Sequence, residues 1–125
     1  MLLPGGASGV DVLEPARTLR EAACAFVDAP ATVEGVEVGG SASKCRFLAA
    51  PMQAWAPPSQ KYDVIWAQWC VGHLTDSHFL RFLQRCRTAL KPRGIVVIKD
   101  NCGESSSTDD CFEVDDADRS ICRGR

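Results

Sequence analysis

Three side chains that could take part in binding or proton transfer stand directly after an apolar segment. Gln68, Trp69 and His73 follow residues 62–67, which are apolar, β-branched or aromatic at nearly every position. A glutamine amide can hydrogen-bond a ligand, an indole offers a flat wall for stacking, and a histidine can donate a hydrogen bond or accept a proton near pH 7. Each type also has an ordinary structural use, because an indole often packs and a lone histidine is often satisfied in a core.

Acidic and amide groups stand at the ends of two further apolar segments. Asp100 and Asn101 follow the run 95–98, and Glu14 ends the segment 9–14. A carboxylate at the end of a strand can accept hydrogen bonds from the two hydroxyls of a ribose, although most carboxylates in that position are simply solvated.

An acidic cluster lies near the carboxyl end of the chain. Its members are Asp109, Asp110, Glu113, Asp115, Asp116 and Asp118. Their spacing does not match a calcium-binding EF-hand loop, because the alternating acids, the central glycine and the closing glutamate are out of register. The set Cys70, His73 and His78 lacks a fourth metal ligand. No metal site is predicted, and such a cluster by itself is typical of a solvated surface.

The middle of the chain is predicted to form a strand, a helix and a second strand. Residues 62–67 and 95–98 are the strands, which we expect to be covered on both faces. Between them Thr75 or Asp76 can cap a helix, and residues 91–94 are typical of a helix end and a turn. The apolar helix positions are Phe79, Leu80, Leu83, Cys86 and Leu90. A βαβ unit makes the strands parallel, with ligands bound outside their carboxyl ends.

The first half of the chain predicts another strand, helix and strand. Residues 9–14 are a brief strand, residues 15–27 a helix with proline in its first turn, and residues 44–50 the next strand. The inner face of this helix is predicted to be Leu19, Ala22, Ala23 and Phe26. An edge strand at 33–38 is possible, and residues 56–60 are a Pro-rich linker.

The composition is that of an ordinary globular protein, with 125 residues, 46% hydrophobic and 24% charged. A net charge of -2 argues against nucleic-acid binding, and no apolar run approaches the ~20 residues that span a bilayer. The seven cysteines are odd in number and lack a CxxC pair, which favours free buried thiols. We therefore expect a cytoplasmic or nuclear protein without nucleic-acid or membrane partners.

Three stretches of the chain resemble the protein α-N-terminal methyltransferases. They are YDVIWAQWCVGHLTD, IVVIKDN and DDADRSICR, the last of which is similar to the family element DDxDxSxCR. That family uses S-adenosylmethionine to methylate the free amino terminus of proteins that begin Xaa-Pro-Lys. The resemblance implies an α/β fold of the Rossmann-like class I type, with a mostly parallel sheet flanked by helices. It also implies S-adenosylmethionine as the cofactor and protein N-termini as the substrates.

The resemblance also implies roles for individual residues. The implied cofactor-binding residues are Glu14, Met52, Gln53 and Gln68, with Glu14 at the ribose. The implied substrate-binding residues are Trp69, Asp115 and Ser120, the last two at the lysine of Xaa-Pro-Lys. The implied catalytic residues are Asp118, Asn101 and His73, of which Asp118 and Asn101 act on the α-amine. Without the resemblance, Met52 and Trp55 would be interpreted as core residues.

The chemistry of methyl transfer to an α-amine suits these residue types. An α-ammonium has a pKa of ~7.7–8.0, so a nearby carboxylate can accept its proton. The neutral amine then attacks the sulfonium methyl in line, and most of the acceleration comes from holding nitrogen, methyl and sulfur collinear. Carboxylates around the substrate also attract its lysine.

The resemblance covers about residues 10–123 and corresponds to the middle of a full methyltransferase. A first strand with a Gly-rich loop is expected before Met1, and a further helix and an antiparallel strand pair after Arg125. We therefore expect residues 1–125 to form a single, incomplete methyltransferase domain. Two alternatives remain, a non-catalytic remnant of the family that at most binds proteins, and a small-molecule methyltransferase on the same scaffold.

Overall fold

The protein is described from a computed structural model. The structure describes residues 9–26, 45–102 and 112–123. The chain divides into two compact units, Met1–Trp55 and Ala56–Arg125, and the division falls at the start of the predicted Pro-rich linker. The possible edge strand at 33–38 lies outside the described residues. The single-domain organisation stays a prediction.

The first unit contains a parallel strand pair and a helix. Its elements are β1 (Val10–Leu13), α1 (Arg17–Phe26) and β2 (Cys45–Leu48). Asp11 lies opposite Arg46, and the guanidinium donates hydrogen bonds of 2.7 and 2.6 Å to the two carboxylate oxygens. A bidentate pair of this kind fixes the register of the two strands. The predicted strands and helix of this half are confirmed.

The core of the first unit differs in part from the predicted helix face. Cys24 and Phe47 are buried, and the side chains packed against them are Val12, Ala23 and Cys45. Leu19 is 59% exposed and Ala22 is also exposed, so their predicted inward positions are wrong. The helix faces the strands with Ala23 and Cys24. Cys24 suits this core position because a buried thiol behaves as a small apolar group. The side chain of Phe26 lies outside what the structure describes.

The second unit contains the predicted βαβ arrangement. Its first elements are β3 (Tyr62–Gln68), the 3₁₀ turn Val71–His73 (the 71–73 turn), α2 (Asp76–Ala89) and β4 (Leu90–Lys99), with β3 and β4 parallel. Ile65 and Ala67 are 8% and 4% exposed, whereas Val64 and Trp66 on the opposite face are 47% and 61% exposed. Among the described residues β3 is therefore covered on one face, and the expected cover on both faces is wrong.

Helix α2 begins as predicted, and Cys86 is buried as predicted, but the rest of the buried face differs. The Thr75 hydroxyl caps the helix and accepts a hydrogen bond of 3.4 Å from the N–H of His78. The buried residues of the helix are Phe82, Cys86 and Ala89. Leu80 is 60% exposed, so its predicted core position is wrong. Burial raises the pKa of the Cys86 thiol to about 11, so the thiol is neutral at physiological pH.

The predicted turn at residues 91–94 is an irregular part of β4. Helix α2 ends at Ala89 and the strand assignment starts at Leu90, with the pairing to β3 interrupted at this point. A Cβ on Gly94 would lie 2.9 Å from Cδ2 of Leu90 and 3.1 Å from the carbonyl oxygen of Asp63. Glycine therefore permits the close approach of the Asp63 backbone at this point.

An antiparallel hairpin follows in the second unit. It consists of β5 (Phe112–Val114), β6 (Ile121–Arg123) and the connecting residues 115–120, which we call the acidic turn; together they form the acidic hairpin. Strand β6 contacts the 71–73 turn. The acids of this region were interpreted as a solvated surface when taken alone, and the resemblance placed Asp115, Asp118 and Ser120 in the site; the hairpin itself was not predicted.

The described strands form three two-stranded sheets, two parallel and one antiparallel. The α/β class and the parallel βαβ unit are confirmed, whereas one mostly parallel sheet stays a prediction. Among the described helices, none has the length and apolar character needed to cross a bilayer. The described cysteines form no disulfide.

Candidate active site

A carboxylate at the end of β4 holds the connection between β3 and α2. Oδ2 of Asp100 accepts hydrogen bonds from the backbone N–H groups of Val71 and Gly72, at 2.9 and 3.3 Å. Its Oδ1 accepts a hydrogen bond of 2.9 Å from the N–H of Asn101. An ionised acceptor makes stronger bonds with these donors than a neutral one. Asp100 therefore orders the 71–73 turn, which carries His73.

Trp69 lies just after β3 with its indole exposed. The side chain is 62% exposed, and the backbone adopts a left-handed φ of 52°. The backbone N–H of Trp69 donates to the carbonyl oxygen of Lys99 at 2.8 Å, and the Lys99 ammonium lies 5.1 Å from the centre of the indole ring. A bulky residue in this conformation costs ~1–3 kcal/mol, which the surrounding contacts must offset. The exposed ring fits the predicted wall for a peptide.

Gln68 is the last residue of β3, and Asn101 lies two residues after the end of β4. Gln68 is half-buried, and its Oε1 accepts a hydrogen bond of 3.1 Å from Nε1 of Trp66. The amide NH2 is therefore the group that it can offer to a ligand. Asn101 is exposed, and the next residue, Cys102, forms an isolated β-bridge with Arg123 of β6.

The acidic turn is built by two of the predicted site residues. Oδ1 of Asp115 accepts a hydrogen bond from the N–H of Ala117, and Oδ1 of Asp118 accepts one from the N–H of Ser120, both at 2.8 Å. The N–H of Asp115 donates to the carbonyl oxygen of Ser120 at 2.9 Å and closes the turn. Aspartates commonly organise turns through such bonds to the residue two positions on. The bond from Ala117 uses only Oδ1 of Asp115, and Asp118 accepts a second hydrogen bond from the Ser120 side chain.

The acidic turn lies against the 71–73 turn. A Cβ on Gly72 would lie 3.2 Å from Cβ of Ser120 and 3.3 Å from the carbonyl oxygen of Ile121, so glycine permits this close approach. The pKa of Asp118 is lowered from its usual value, chiefly by hydrogen bonds from the backbone and side chain of Ser120 and to a smaller extent by His73. The structure thus brings Asp118, Ser120 and His73 together.

The neighbouring thiol and imidazole groups do not form a metal site or a nucleophile. Burial, and to a smaller extent the charge of Asp100, raises the pKa of the Cys70 thiol, so a thiolate is disfavoured. The described residues include no group of three or more potential ligands that could hold a metal ion, which removes the Cys70, His73 and His78 alternative. His78 lies instead at the cap of α2, with Nδ1 3.1 Å from Oγ1 of Thr75.

In the first unit, Glu14 lies at the carboxyl end of β1. Its N–H donates to the carbonyl oxygen of Leu48 at 3.1 Å, which extends the pairing with β2. Its half-buried carboxylate accepts a hydrogen bond of 2.7 Å from the N–H of Ala16 through Oε1. One oxygen therefore orders the start of α1, and a carboxylate has a second oxygen with which to accept a hydroxyl.

The segment after β2 carries two further predicted cofactor residues. Met52 is half-buried and Gln53 is exposed. Trp55 is 9% exposed and is a core residue, as the alternative interpretation held. The exposure of Gln53 leaves its amide accessible.

Sequence reasoning missed several residues that shape the site. It named Asp100 without a role, and it did not identify the close approach at Gly72 or the ring contact of Lys99. The hairpin had a weak signal, because residues 112–114 alternate apolar and polar types and a short polar segment separates them from the β-branched Ile121. The density of acids in that region favoured the interpretation as a solvated surface.

The fold of the chain is that of S-adenosylmethionine-dependent methyltransferases. The solved structure of such a methyltransferase from Leishmania major matches with a TM-score of 0.73 and 28% identity, over 94% of this chain and 40% of that protein.

The chain belongs to a family described as AdoMet dependent proline di-methyltransferases, whose model matches residues 1–125. The N-terminal Xaa-Pro-Lys N-methyltransferase 1-A of Xenopus laevis is 48% identical over 72% of this chain and 35% of its own length. The N-terminal Xaa-Pro-Lys N-methyltransferase 1 of Homo sapiens is 44% identical over 62% of this chain and 32% of its own length. The resemblance found from the sequence is confirmed, and the chain spans about a third of the length of these relatives.

Proposed function

We propose that this chain is part of an enzyme that methylates the α-amino group of protein N-termini of the Xaa-Pro-Lys type. The proposal is supported by the family and by the names of the relatives. The observation that carries it is the contact between the acidic turn and the 71–73 turn, with Ser120 against Gly72 and with His73 contributing to the lowered pKa of Asp118. The comparisons do not favour a non-catalytic remnant.

The substrate peptide would be recognised by stacking and by charge. The exposed Trp69 indole is a suitable partner for the proline ring in the second position of the peptide. Asp115, with Oδ2 outside the turn bonds, can accept a hydrogen bond from the lysine ammonium, and Ser120 can add a hydroxyl acceptor. Both groups are fixed by the turn, so little side-chain entropy is lost on binding.

Asp118 would bind and orient the α-amino group. Because its pKa is lowered, the carboxylate is ionised at neutral pH and can hold the ammonium form by a charge-assisted hydrogen bond. The same lowering makes Asp118 a weaker base than an ordinary aspartate, with a pKa well below that of an α-ammonium, which is ~7.7–8.0. Orientation of the nitrogen, with Asn101 and His73 as further hydrogen-bond partners, is therefore its main contribution, and the proton passes on to solvent.

Each unit carries predicted cofactor-binding groups at or after the ends of its strands. In the first unit, the Glu14 carboxylate is an acceptor suited to a ribose, and Met52 and Gln53 are suited to a purine face and its edge. In the second unit, the Gln68 amide is a donor suited to a nucleoside. S-adenosylmethionine supplies, when bound, an electrophilic methyl group on a sulfonium sulfur. The residues of this chain contribute by holding the amine nitrogen in line with that methyl group and by limiting its motion.

We also propose a cytoplasmic or nuclear location. The buried thiols of Cys24 and Cys86 are typical of proteins from a reducing compartment.

The test is calorimetric titration of the 125-residue chain with S-adenosylmethionine and with an Xaa-Pro-Lys peptide. We expect saturable binding of both ligands, and no binding of the same peptide with an acetylated amino terminus. Asp118→Asn should weaken peptide binding about tenfold, because a charge-assisted hydrogen bond is lost. Asp116→Asn, at an exposed carboxylate of the same turn, is the matched control and should have little effect.

Two results would contradict the proposal. Equal affinity for the acetylated and the free peptide would show that the α-amino group is not recognised. A folded chain that binds neither ligand would show that these residues do not form a working site in this polypeptide. Mass spectrometry of the peptide after incubation with both components tests methyl transfer itself.

A further inference from the structure

Arg123, the last residue of β6, contacts a continuous segment outside the acidic hairpin. Its Nη2 donates to the carbonyl oxygen of Leu74 at 2.6 Å, and its Nη1 donates to that of Val71 at 3.3 Å. Its Nε and Nη2 donate to Oδ1 of Asp76 at 2.9 and 2.8 Å. The guanidinium carbon lies 5.2 Å from the centre of the Phe79 ring. All four partners belong to residues 71–79, which include the 71–73 turn and the first turn of α2.

Arg123 donates to two backbone carbonyl groups, so its contacts comprise more than an exposed ion pair with Asp76. The side chain of Asp76 is 85% exposed, so water screens its charge, whereas that of Arg123 is only 26% exposed. The bonds to Val71 and Leu74 are part-buried and use carbonyl oxygens at either end of the 71–73 turn. A guanidinium presents five donors in a rigid fork and can serve all of these acceptors at once, which a lysine ammonium cannot do.

We propose that Arg123 is a positioning residue that docks the acidic hairpin onto the 71–73 turn. Docking keeps Ser120 in contact with Gly72 and keeps Asp118 near His73. The role of Arg123 in docking is independent of the proposed function. Its consequence for peptide recognition rests on that function, because Asp115 and Ser120 are the proposed partners of the substrate lysine.

The first experiment compares Arg123→Lys with Arg81→Lys, which changes an exposed arginine of α2, in the 125-residue chain. Proton–proton contacts between Ser120 and Gly72 are measured by NMR. We expect these contacts to be lost in Arg123→Lys and kept in Arg81→Lys. The amide shifts of β3 should be unchanged in both variants, which shows that the βαβ unit stays folded.

The titration of the Asp118 carboxyl distinguishes undocking from loss of the hairpin. Its principal hydrogen bonds come from Ser120, inside the acidic turn, whereas His73 lies outside the hairpin. In Arg123→Lys the carboxyl should therefore keep most of its lowered pKa. A return to the value of an unstructured aspartate would mean that the hairpin itself had unfolded.

A second measurement needs no substitution. Hydrogen exchange of the guanidinium Nη–H groups in the unmodified chain should be slower for Arg123 than for Arg81, because the Arg123 Nη1 and Nη2 groups donate to the carbonyl oxygens of Val71 and Leu74. Equal exchange rates would overturn the proposal even where Arg123→Lys fails to fold.

The effect on recognition is measured by titration with two peptides that have lysine or glutamine in the third position. Arg123→Lys should reduce the preference for lysine about tenfold and leave the affinity for S-adenosylmethionine unchanged. Retained Ser120–Gly72 contacts, or lost contacts with an unchanged lysine preference, would overturn the positioning role. If the unmodified chain binds neither peptide while the NMR contacts respond as expected, the proposed function fails and the docking role stands.

Discussion

The ionisation of Asp118 is controlled by its neighbour in the acidic turn. The two largest causes of its lowered pKa are hydrogen bonds from the backbone and the side chain of Ser120, and His73 contributes less. Ser120→Ala removes the hydroxyl and keeps the backbone bond of 2.8 Å, so we expect the pKa of Asp118 to rise part of the way toward its usual value. NMR titration of the Asp118 carboxyl carbon measures this change.

His73→Gln provides the comparison, because it removes the smaller electrostatic contribution and leaves both Ser120 bonds in place. The pKa should rise less in His73→Gln than in Ser120→Ala, and the reverse order would contradict this assignment of causes. The sign of the stability effect follows from the direction of the shift. Since the pKa is lower in the folded chain, the ionised Asp118 favours folding above its unfolded pKa, and this contribution is lost as the pH falls through the folded pKa.

At the scale of elements, hydrophobic patterning and helix capping were sufficient to predict the individual strands and the helix of the βαβ unit. The alternation of apolar strands with a capped amphipathic segment was sufficient to predict β3, α2 and β4 and their parallel arrangement. The buried helix face was less predictable, because α2 carries two overlapping apolar stripes and packing selects the one with Phe82. The acidic hairpin was missed because its strands are three residues long and its turn is stabilised by aspartates that also mark a solvated surface.

The same limit applies to the candidate site. The residues named from the motifs lie at strand ends, in the segments that follow strands and in the acidic turn. The contacts that hold them, from Asp100 to the 71–73 turn and from Arg123 to Leu74, join positions distant in the sequence. Hydrophobic periodicity carries no information about such pairs, so they required the structure.

The buried stripe of α2 leads to a prediction about stability. Phe82 is 3% exposed and Leu80 is 60% exposed, although both are large apolar residues of the same helix. Phe82→Ala should lower the free energy of unfolding by about 3–5 kcal/mol, through lost burial and a cavity. Leu80→Ala should change it by less than about 1 kcal/mol, since most of that side chain is already in water. Urea denaturation followed by tryptophan fluorescence measures both, and equal losses would show that the helix packs in a different rotation.

At the scale of the whole molecule, charge is distributed unevenly along the chain. Residues 109–118 contain six acids and no base, so the remaining residues contain 14 basic and 10 acidic side chains. The small net charge of -2 therefore combines a strongly acidic segment with a mildly basic remainder. A cationic peptide would be attracted by the acidic segment and not by the molecule as a whole, so the attraction should be local.

This distribution predicts how salt affects recognition. Raising the ionic strength from about 10 mM to about 150 mM shortens the Debye length from about 30 Å to about 8 Å. The affinity for an Xaa-Pro-Lys peptide should fall over this range, and the affinity for a peptide with glutamine in the third position should fall less, because it carries one charge fewer. Asp115→Asn should bring the two salt dependences together, whereas Asp116→Asn, at an exposed carboxylate in the same turn, should leave them apart. Identical salt dependences for the two peptides on the unmodified chain would mean that the lysine is not recognised through charge and that Asp115 has no part in its selection.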